Sequence, residues 1–185
     1  MDAAKEYALW LEKVTDPRLV AELNAIAGDE NAIKNRFGAE LSFGTAGMRG
    51  VLEVGTNRMN IHTVRRATQG LADYVNDVFG EGSIAVSYDS RNYSEEFAQE
   101  TAKVLAANGV KVYLYDRLMP VPMLSFAVRE LGCKAGVMIT ASHNPAEYNG
   151  YKVYGSDGCQ MTDDDADAVL RRINNHDYLD RKSVV

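Results

Sequence analysis

Cysteine is scarce. The 185 residues hold two, Cys133 and Cys159, and neither sits in a CxxC pair, which argues against a disulfide framework or a thiolate zinc site. Both read as small buried or semi-buried side chains. Long apolar runs are missing as well, none approaching the roughly 20 residues that span a bilayer. The opening MDAAKEYALWLEKV threads acids and lysine through its apolar positions, so it does not read as a signal peptide. A reduced, cytoplasmic protein with no membrane partner is the expectation. Positive charge is in deficit, 20 Lys and Arg against 26 Asp and Glu for a net charge of −6. That argues against a nucleic-acid partner, and it means that an anionic ligand would need a local cationic pocket. GxGxxG, GxxxxGK[ST] and GxSxG are all absent, which excludes the dinucleotide, P-loop and nucleophile-elbow motifs. No internal repeat, low-complexity segment or linker interrupts the chain.

What is present suits a folded core: 46% hydrophobic and 25% charged residues. Residues 1 to about 37 read as helical, with Tyr7, Leu11 and Val14 along one face. Pro17 opens a second stretch carrying Leu19, Leu23 and Ile26, and Gly38 closes the arm. Ile61, Val64, Thr68, Leu71, Val75 and Val78 recur at three- and four-residue steps, one face of a long helix ending at Gly80. Residues 83–88 (SIAVSY) form a strand pattern. Ser94 is placed to cap a helix that Asn108-Gly109 stops. Residues 110–115 form the next strand, and the turn Pro120-Val121-Pro122 leads to a helix ending near Gly132. Residues 133–140 form a nearly continuous apolar strand, residues 151–154 a short one, and Thr162 caps a last helix through Val169, Leu170 and Ile173. This order predicts a βαβαβ unit: a three-layer α/β/α domain with a mostly parallel mixed sheet, its strands apolar on both faces, and an N-terminal helical arm.

Two loops are placed for chemistry. Thr140-Ala141-Ser142-His143-Asn144-Pro145 follows the third strand, where open α/β sheets collect ligands. On spacing alone, Ser142 either serves such a site or only hydrogen-bonds the Asn144-Pro145 turn. Gly44 to Gly50 carries a glycine every third residue with Thr45 and Arg49 between them. It is either a flexible turn or a close-approach loop supplying a hydroxyl and a guanidinium to phosphate. Asp163, Asp164, Asp165 and Asp167 fall in the first turns of the last helix, where they complement its dipole rather than forming a metal cluster. They also lack EF-hand spacing. His62 and His176 read as surface or capping residues, and Trp10 as core or arm packing.

Read together, FGTAGMRG (43–50) and TASHNPAEYNGYKVY (140–154) resemble the α-D-phosphohexomutase (phosphoglucomutase/phosphomannomutase) family. The arm and the FGTAGMRG wording are most similar to its phosphoglucomutase-2-like branch. Tyr88-Asp89-Ser90-Arg91 also resembles a family segment. The resemblance covers essentially the whole chain but only the first of the family's four domains. It implies a helical arm over 1–40 and the catalytic-serine domain over 41–185.

By this resemblance Ser142 is the serine that carries a phosphoryl group, passing it to a hexose phosphate through a sugar bisphosphate and taking one back. His143 is implied to contact phosphate or assist proton movement, and Lys152 to lie near the phosphoserine. Thr45 and Arg49 are implied to bind the substrate phosphate and sugar. Hexose phosphates are then the substrates and glucose 1,6-bisphosphate the intermediate or activator. Mg²⁺ would be held through the Ser142 phosphate and an aspartate-rich loop of the next domain. No DGDGDR-type segment occurs in this chain, so the missing domains of the same polypeptide are implied partners and the fragment alone is expected to be inactive. The alternatives are a stand-alone phosphosugar-binding or interaction module and, more weakly, a serine hydrolase. Adjacent Ser142 and His143 cannot easily face each other as nucleophile and base.

Overall fold

The computed structural model describes residues 1–179; the last six residues of the 41–185 range lie outside the described residues. Three short helices come first: α1 (Ala3–Lys13), α2 (Pro17–Ala25) and α3 (Glu30–Phe37). Each opens on an aspartate, Asp2, Asp16 or Asp29, whose carboxylate accepts first-turn amide hydrogens. Such caps contribute about 1 kcal/mol each. Pro17 begins α2 as expected, but the arm breaks a second time at Gly28, whose φ is +83°. The buried side chain of α1 is Trp10, fully enclosed, whereas Leu11 is 42% exposed. Trp10, Leu19, Leu23, Phe37 and Val54 form a cluster of their own.

Strand β1 (Met48–Val51) follows, then α4 (Ile61–Phe79), β2 (Ser83–Tyr88), α5 (Ser94–Ala107), β3 (Lys111–Leu114), α6 (Val121–Glu130), β4 (Ala135–Ile139), β5 (Tyr148–Gly155) and α7 (Asp163–Ile173). The sheet order is β1-β5-β4-β2-β3. β2 pairs in parallel with β3 and β4, and β5 runs antiparallel to both β4 and β1. Four of the five strands therefore share one direction, and the mixed sheet between helical layers is the architecture expected.

Residue alternation explains the two covered faces. Ile84, Val86, Val137, Ile139 and Val153 join α4, α5 and α7 on one side. Ala85, Met138 and Tyr154 meet Leu124 and Val128 of α6 on the other. Gly136 lets α6 close on the sheet, since a Cβ there would stand 2.6 Å from Val128 Cγ2.

Several expectations need correction. The Gly44–Gly50 stretch is not a loop throughout: its second half is β1, whose partner β5 lies about 100 residues later. β5 starts at Tyr148 rather than Tyr151, because Tyr148, Asn149 and Gly150 pair with Val51, Gly50 and Arg49 of β1. β3 is an edge strand with exposed or half-buried positions throughout, not apolar on both faces. Ser94 is the first residue of α5, not its cap; the cap position is Tyr93, left-handed at φ 63° and making no side-chain cap hydrogen bond. Val78 faces solvent at 51% exposure. Cys133 is buried but Cys159 is exposed. Thr162 caps α7, and Asp163–Asp165 occupy its first turn as expected.

Candidate functional site

The carboxyl ends of parallel neighbours β2 and β4 form the crevice that an open α/β sheet offers to ligands. β4 delivers Ile139, then Thr140 and the buried Ala141, and turns at Ser142. Ser142 is exposed and left-handed, with φ at 57°, a conformation uncommon for any residue but glycine, asparagine or aspartate. The next strand brings a cation back to it: on β5 the Lys152 ammonium donates to Ser142 Oγ at 2.7 Å.

β1 adds a second cation. Arg49 lies opposite Gly150 and Lys152 opposite Met138, so Arg49 and Lys152 are diagonal neighbours on one face of the sheet. Arg49 donates to the Asn144 side-chain oxygen at 2.6 Å. Gly150 leaves no room for a side chain, as a Cβ would stand 2.7 Å from the Thr140 carbonyl oxygen. The Lys152 pKa is lowered, first by partial burial and then by the nearby positive charge of Arg49, with Asp89 opposing. Two cations thus converge beside one hydroxyl, the environment that a phosphate dianion would relieve.

Thr45 sits at the tip of a tight turn closed by reciprocal Gly44–Gly47 backbone bonds of 3.0 and 2.7 Å. Gly47, at φ +77°, presses so closely on β5 that a Cβ would meet the Tyr151 carbonyl oxygen at 1.8 Å. The turn is thereby anchored over Lys152. Thr45 is half-buried and His143 exposed, and neither side chain makes a hydrogen bond among the described residues. The structure therefore brings Ser142, Lys152 and Arg49 together, sets the Thr45 turn against Lys152, and leaves His143 free beside the serine.

Tyr88-Asp89-Ser90-Arg91 carried no assigned role in the sequence. In the structure it is the second wall of the serine loop. Arg91 donates to the carbonyls of Ser142, Asn144, Pro145 and Tyr148, and Asp89 accepts from Thr140. Adjacency of the β2 and β4 carboxyl ends was the available signal. The two other histidines lie elsewhere and are not merely surface or capping groups. His62 packs edge-on against Trp10, and His176 Nε2 pairs with Asp73 at 2.5 Å. A cavity of about 560 Å³ lined by Glu6, Arg66 and Tyr178 shares no residue with the serine cluster. No helix among the described residues is long and apolar enough to cross a membrane.

Fold and cluster define a class first: an α/β/α domain presenting a serine hydroxyl beside two cations at a strand end. Residues 40–180 match the family model for phosphoglucomutase/phosphomannomutase, alpha/beta/alpha domain I. Phosphoglucomutase of Staphylococcus haemolyticus (strain JCSC1435) is 49% identical over 139 residues, covering 75% of this chain and 25% of the relative. The Staphylococcus aureus (strain USA300) phosphoglucomutase is 44% identical over 171 residues, 92% of this chain and 31% of the relative. A crystal structure from Thermus thermophilus, provisionally assigned as a phosphomannomutase, superposes with a TM-score of 0.68 at 34% identity, covering 73% of this chain and 30% of that one. A phosphoglucomutase/phosphomannomutase family protein from Burkholderia thailandensis gives 0.60 at 25% identity, with 72% and 30% covered. The chain belongs to the phosphoglucomutase/phosphomannomutase family and corresponds to its domain I. It spans 25% and 31% of the length of these two curated relatives.

Proposed function

We propose that this chain is the serine-bearing domain of a phosphohexomutase that interconverts hexose 1-phosphate and hexose 6-phosphate, with Ser142 as the phosphoryl carrier. The observation that carries the reading is the 2.7 Å contact between Lys152 Nζ and the exposed Ser142 Oγ, beside Arg49 at the carboxyl end of β4. In the forward step the bond from phosphorus to Ser142 Oγ breaks as a bond to a sugar hydroxyl oxygen forms. The sugar's proton passes to the departing Oγ, and a sugar bisphosphate results. The second step reverses this chemistry at the other phosphate of the reoriented bisphosphate. Phosphoryl transfer asks the protein chiefly for positioning and charge neutralisation. Lys152 stabilises negative charge as it develops on Oγ, and its lowered pKa suits it to relay the sugar's proton, giving one proton to Oγ as it takes the sugar's in return. Arg49 and Thr45 bind the anionic substrate, and His143 contacts phosphate or moves a proton.

Among the described residues no cluster of three His, Cys, Asp or Glu side chains could hold a metal. The Asp89 carboxylate is committed to Thr140, Ser94 and the Arg91 amide. A Mg²⁺ at this site would therefore have the Ser142 phosphate as its ligand from this chain, with the rest supplied by other domains. When bound it neutralises charge on the transferring group. The isolated 185 residues are then inactive as a mutase.

The test is intact-mass spectrometry after incubation of the full-length enzyme with glucose 1,6-bisphosphate, followed by peptide mapping. One phosphate on Ser142 is the expected result. A phosphate on Ser87, Ser90 or Ser156 refutes the assignment, an unmodified phosphosugar binder points to a binding module, and phosphonylation of Ser142 by a fluorophosphonate with loss of fluoride points to a hydrolase.

A further inference from the structure

The serine loop is held from behind by one side chain. The Arg91 guanidinium donates through Nη1 to the carbonyl oxygens of Pro145 (2.9 Å) and Tyr148 (3.2 Å). Through Nη2 it donates to those of Ser142 (2.7 Å) and Asn144 (2.6 Å). Its Nε faces Asp89 Oδ2 at 3.7 Å, and the side chain is 15% exposed. Four carbonyls spaced over residues 142–148 thus converge on one planar fork. A lysine could not reproduce this, having three donors at a single point.

A second strand of the same clasp runs through Asp89. Its Oδ2 accepts from the Thr140 hydroxyl at 2.5 Å, and that oxygen accepts the Ser142 amide hydrogen at 3.0 Å. Oδ1 accepts from the Arg91 amide at 3.0 Å and from the Ser94 hydroxyl at 2.8 Å. Both the N–H and the C=O of Ser142 are therefore fixed by groups at the end of β2 and β4, while its own backbone stays in the left-handed region. Rotation of the peptide toward the extended backbone natural to a strand end would break both bonds and swing Oγ away from Lys152.

We propose that Arg91, with Asp89 and Thr140, is a positioning device that holds the Ser142 peptide in its left-handed turn and so aims Oγ at Lys152. This rests on Ser142 being the phosphoryl carrier, as read above. The guanidinium is not a substrate ligand, because its terminal nitrogens are spent on backbone carbonyls. Its contribution belongs to the alignment of the transferring group, where a displacement of about 1 Å costs on the order of 10²-fold in rate.

The experiment compares wild type, Arg91→Lys, Arg91→Ala and Thr140→Val in the full-length enzyme, reading Ser142 phosphorylation by mass spectrometry and kcat and KM in a coupled assay. Arg91→Lys keeps the charge but loses the fork, and should lower kcat roughly 10²-fold with KM changed less than about threefold. Added guanidinium ion should restore on the order of tenfold in Arg91→Ala, a rescue that a merely structural role would not show. Amide exchange over residues 141–148 should accelerate in both arginine variants. If Arg91→Ala does not fold, Thr140→Val breaks the Asp89–Thr140–Ser142 relay and must show the same loss of kcat at near-constant KM. A kcat within about twofold of wild type in Arg91→Lys, or a raised KM with unchanged kcat, overturns the clasp. If wild type itself takes no phosphate on Ser142, the phosphoryl-carrier reading fails and this proposal with it. A phosphorylated wild type alongside unimpaired variants removes the clasp alone.

Discussion

His62 occupies the joint between the helical arm and the α/β domain, and its protonation should loosen that joint. The imidazole stands on the first turn of α4 with its centroid 5.1 Å from that of the fully buried Trp10. Burial, and then the positive charge of Arg65, push its pKa down from 6.5 to about 4. The folded protein therefore keeps this ring neutral while the unfolded chain takes up a proton near its ordinary pKa. The unfolded state binds more protons between those values, so the contribution is fully present above pH 6.5 and is lost as pH falls toward 4. One pKa unit is worth about 1.4 kcal/mol, so moving from about pH 7 to about pH 4.5 should cost roughly 2 kcal/mol through this group alone. Urea unfolding followed by fluorescence of Trp10, the sole tryptophan, reads the arm directly. Many carboxylates titrate in the same range, so the quantity to measure is the difference between wild type and His62→Gln. That difference should move against wild type by roughly 2 kcal/mol across the window. Parallel stability curves for the two proteins, or an imidazole proton signal titrating above about pH 6, would refute the reasoning.

Other outcomes follow from the site and its supports. Replacing Lys152 or Arg49 by methionine in the full-length enzyme should cut turnover roughly 10²-fold or more while circular dichroism stays native, and near-normal turnover would withdraw the assigned role. Gly47→Ala places a Cβ against the Tyr151 carbonyl oxygen at a positive φ. It should destabilise by at least about 1–2 kcal/mol and displace the turn bearing Thr45, seen as a fall in melting temperature together with a rise in KM. The purified 185-residue chain should show no glucose-1-phosphate to glucose-6-phosphate turnover in a coupled assay. Activity that tracks the protein and vanishes in Ser142→Ala would show instead that one domain suffices.

The central strands were legible because their burial is continuous. SIAVSY became β2 with the expected ends, and the apolar stretch leading to Thr140 contains β4. β1 was not, because MRGV is only four residues long, begins inside a glycine-rich stretch, and owes its conformation to a partner far along the chain. The short strand was expected only from Tyr151, yet Gly150 pairs with Arg49 and the Asn149 side chain ties to Ser94 and the Asn92 carbonyl. Local propensity lost there to tertiary pairing. Ser142, Lys152 and Arg49 were readable through their motifs, and the structure brings them together. The role of Arg91 was not, since a side chain that bonds carbonyls leaves no trace in the identity of the residues it holds.

The antiparallel placement of β5 gives the two cations beside Ser142 unequal standing. Lys152 reaches the serine across ten residues of one hairpin, whereas the Arg49–Asn144 bond spans 95. Closing the longer loop costs about 2 kcal/mol more chain entropy by the logarithmic law. Arg49 is therefore the detachable partner. Insertions or substitutions that loosen the β1 edge should part Arg49 from the serine loop while Ser142 and Lys152 stay joined through the β4–β5 hairpin.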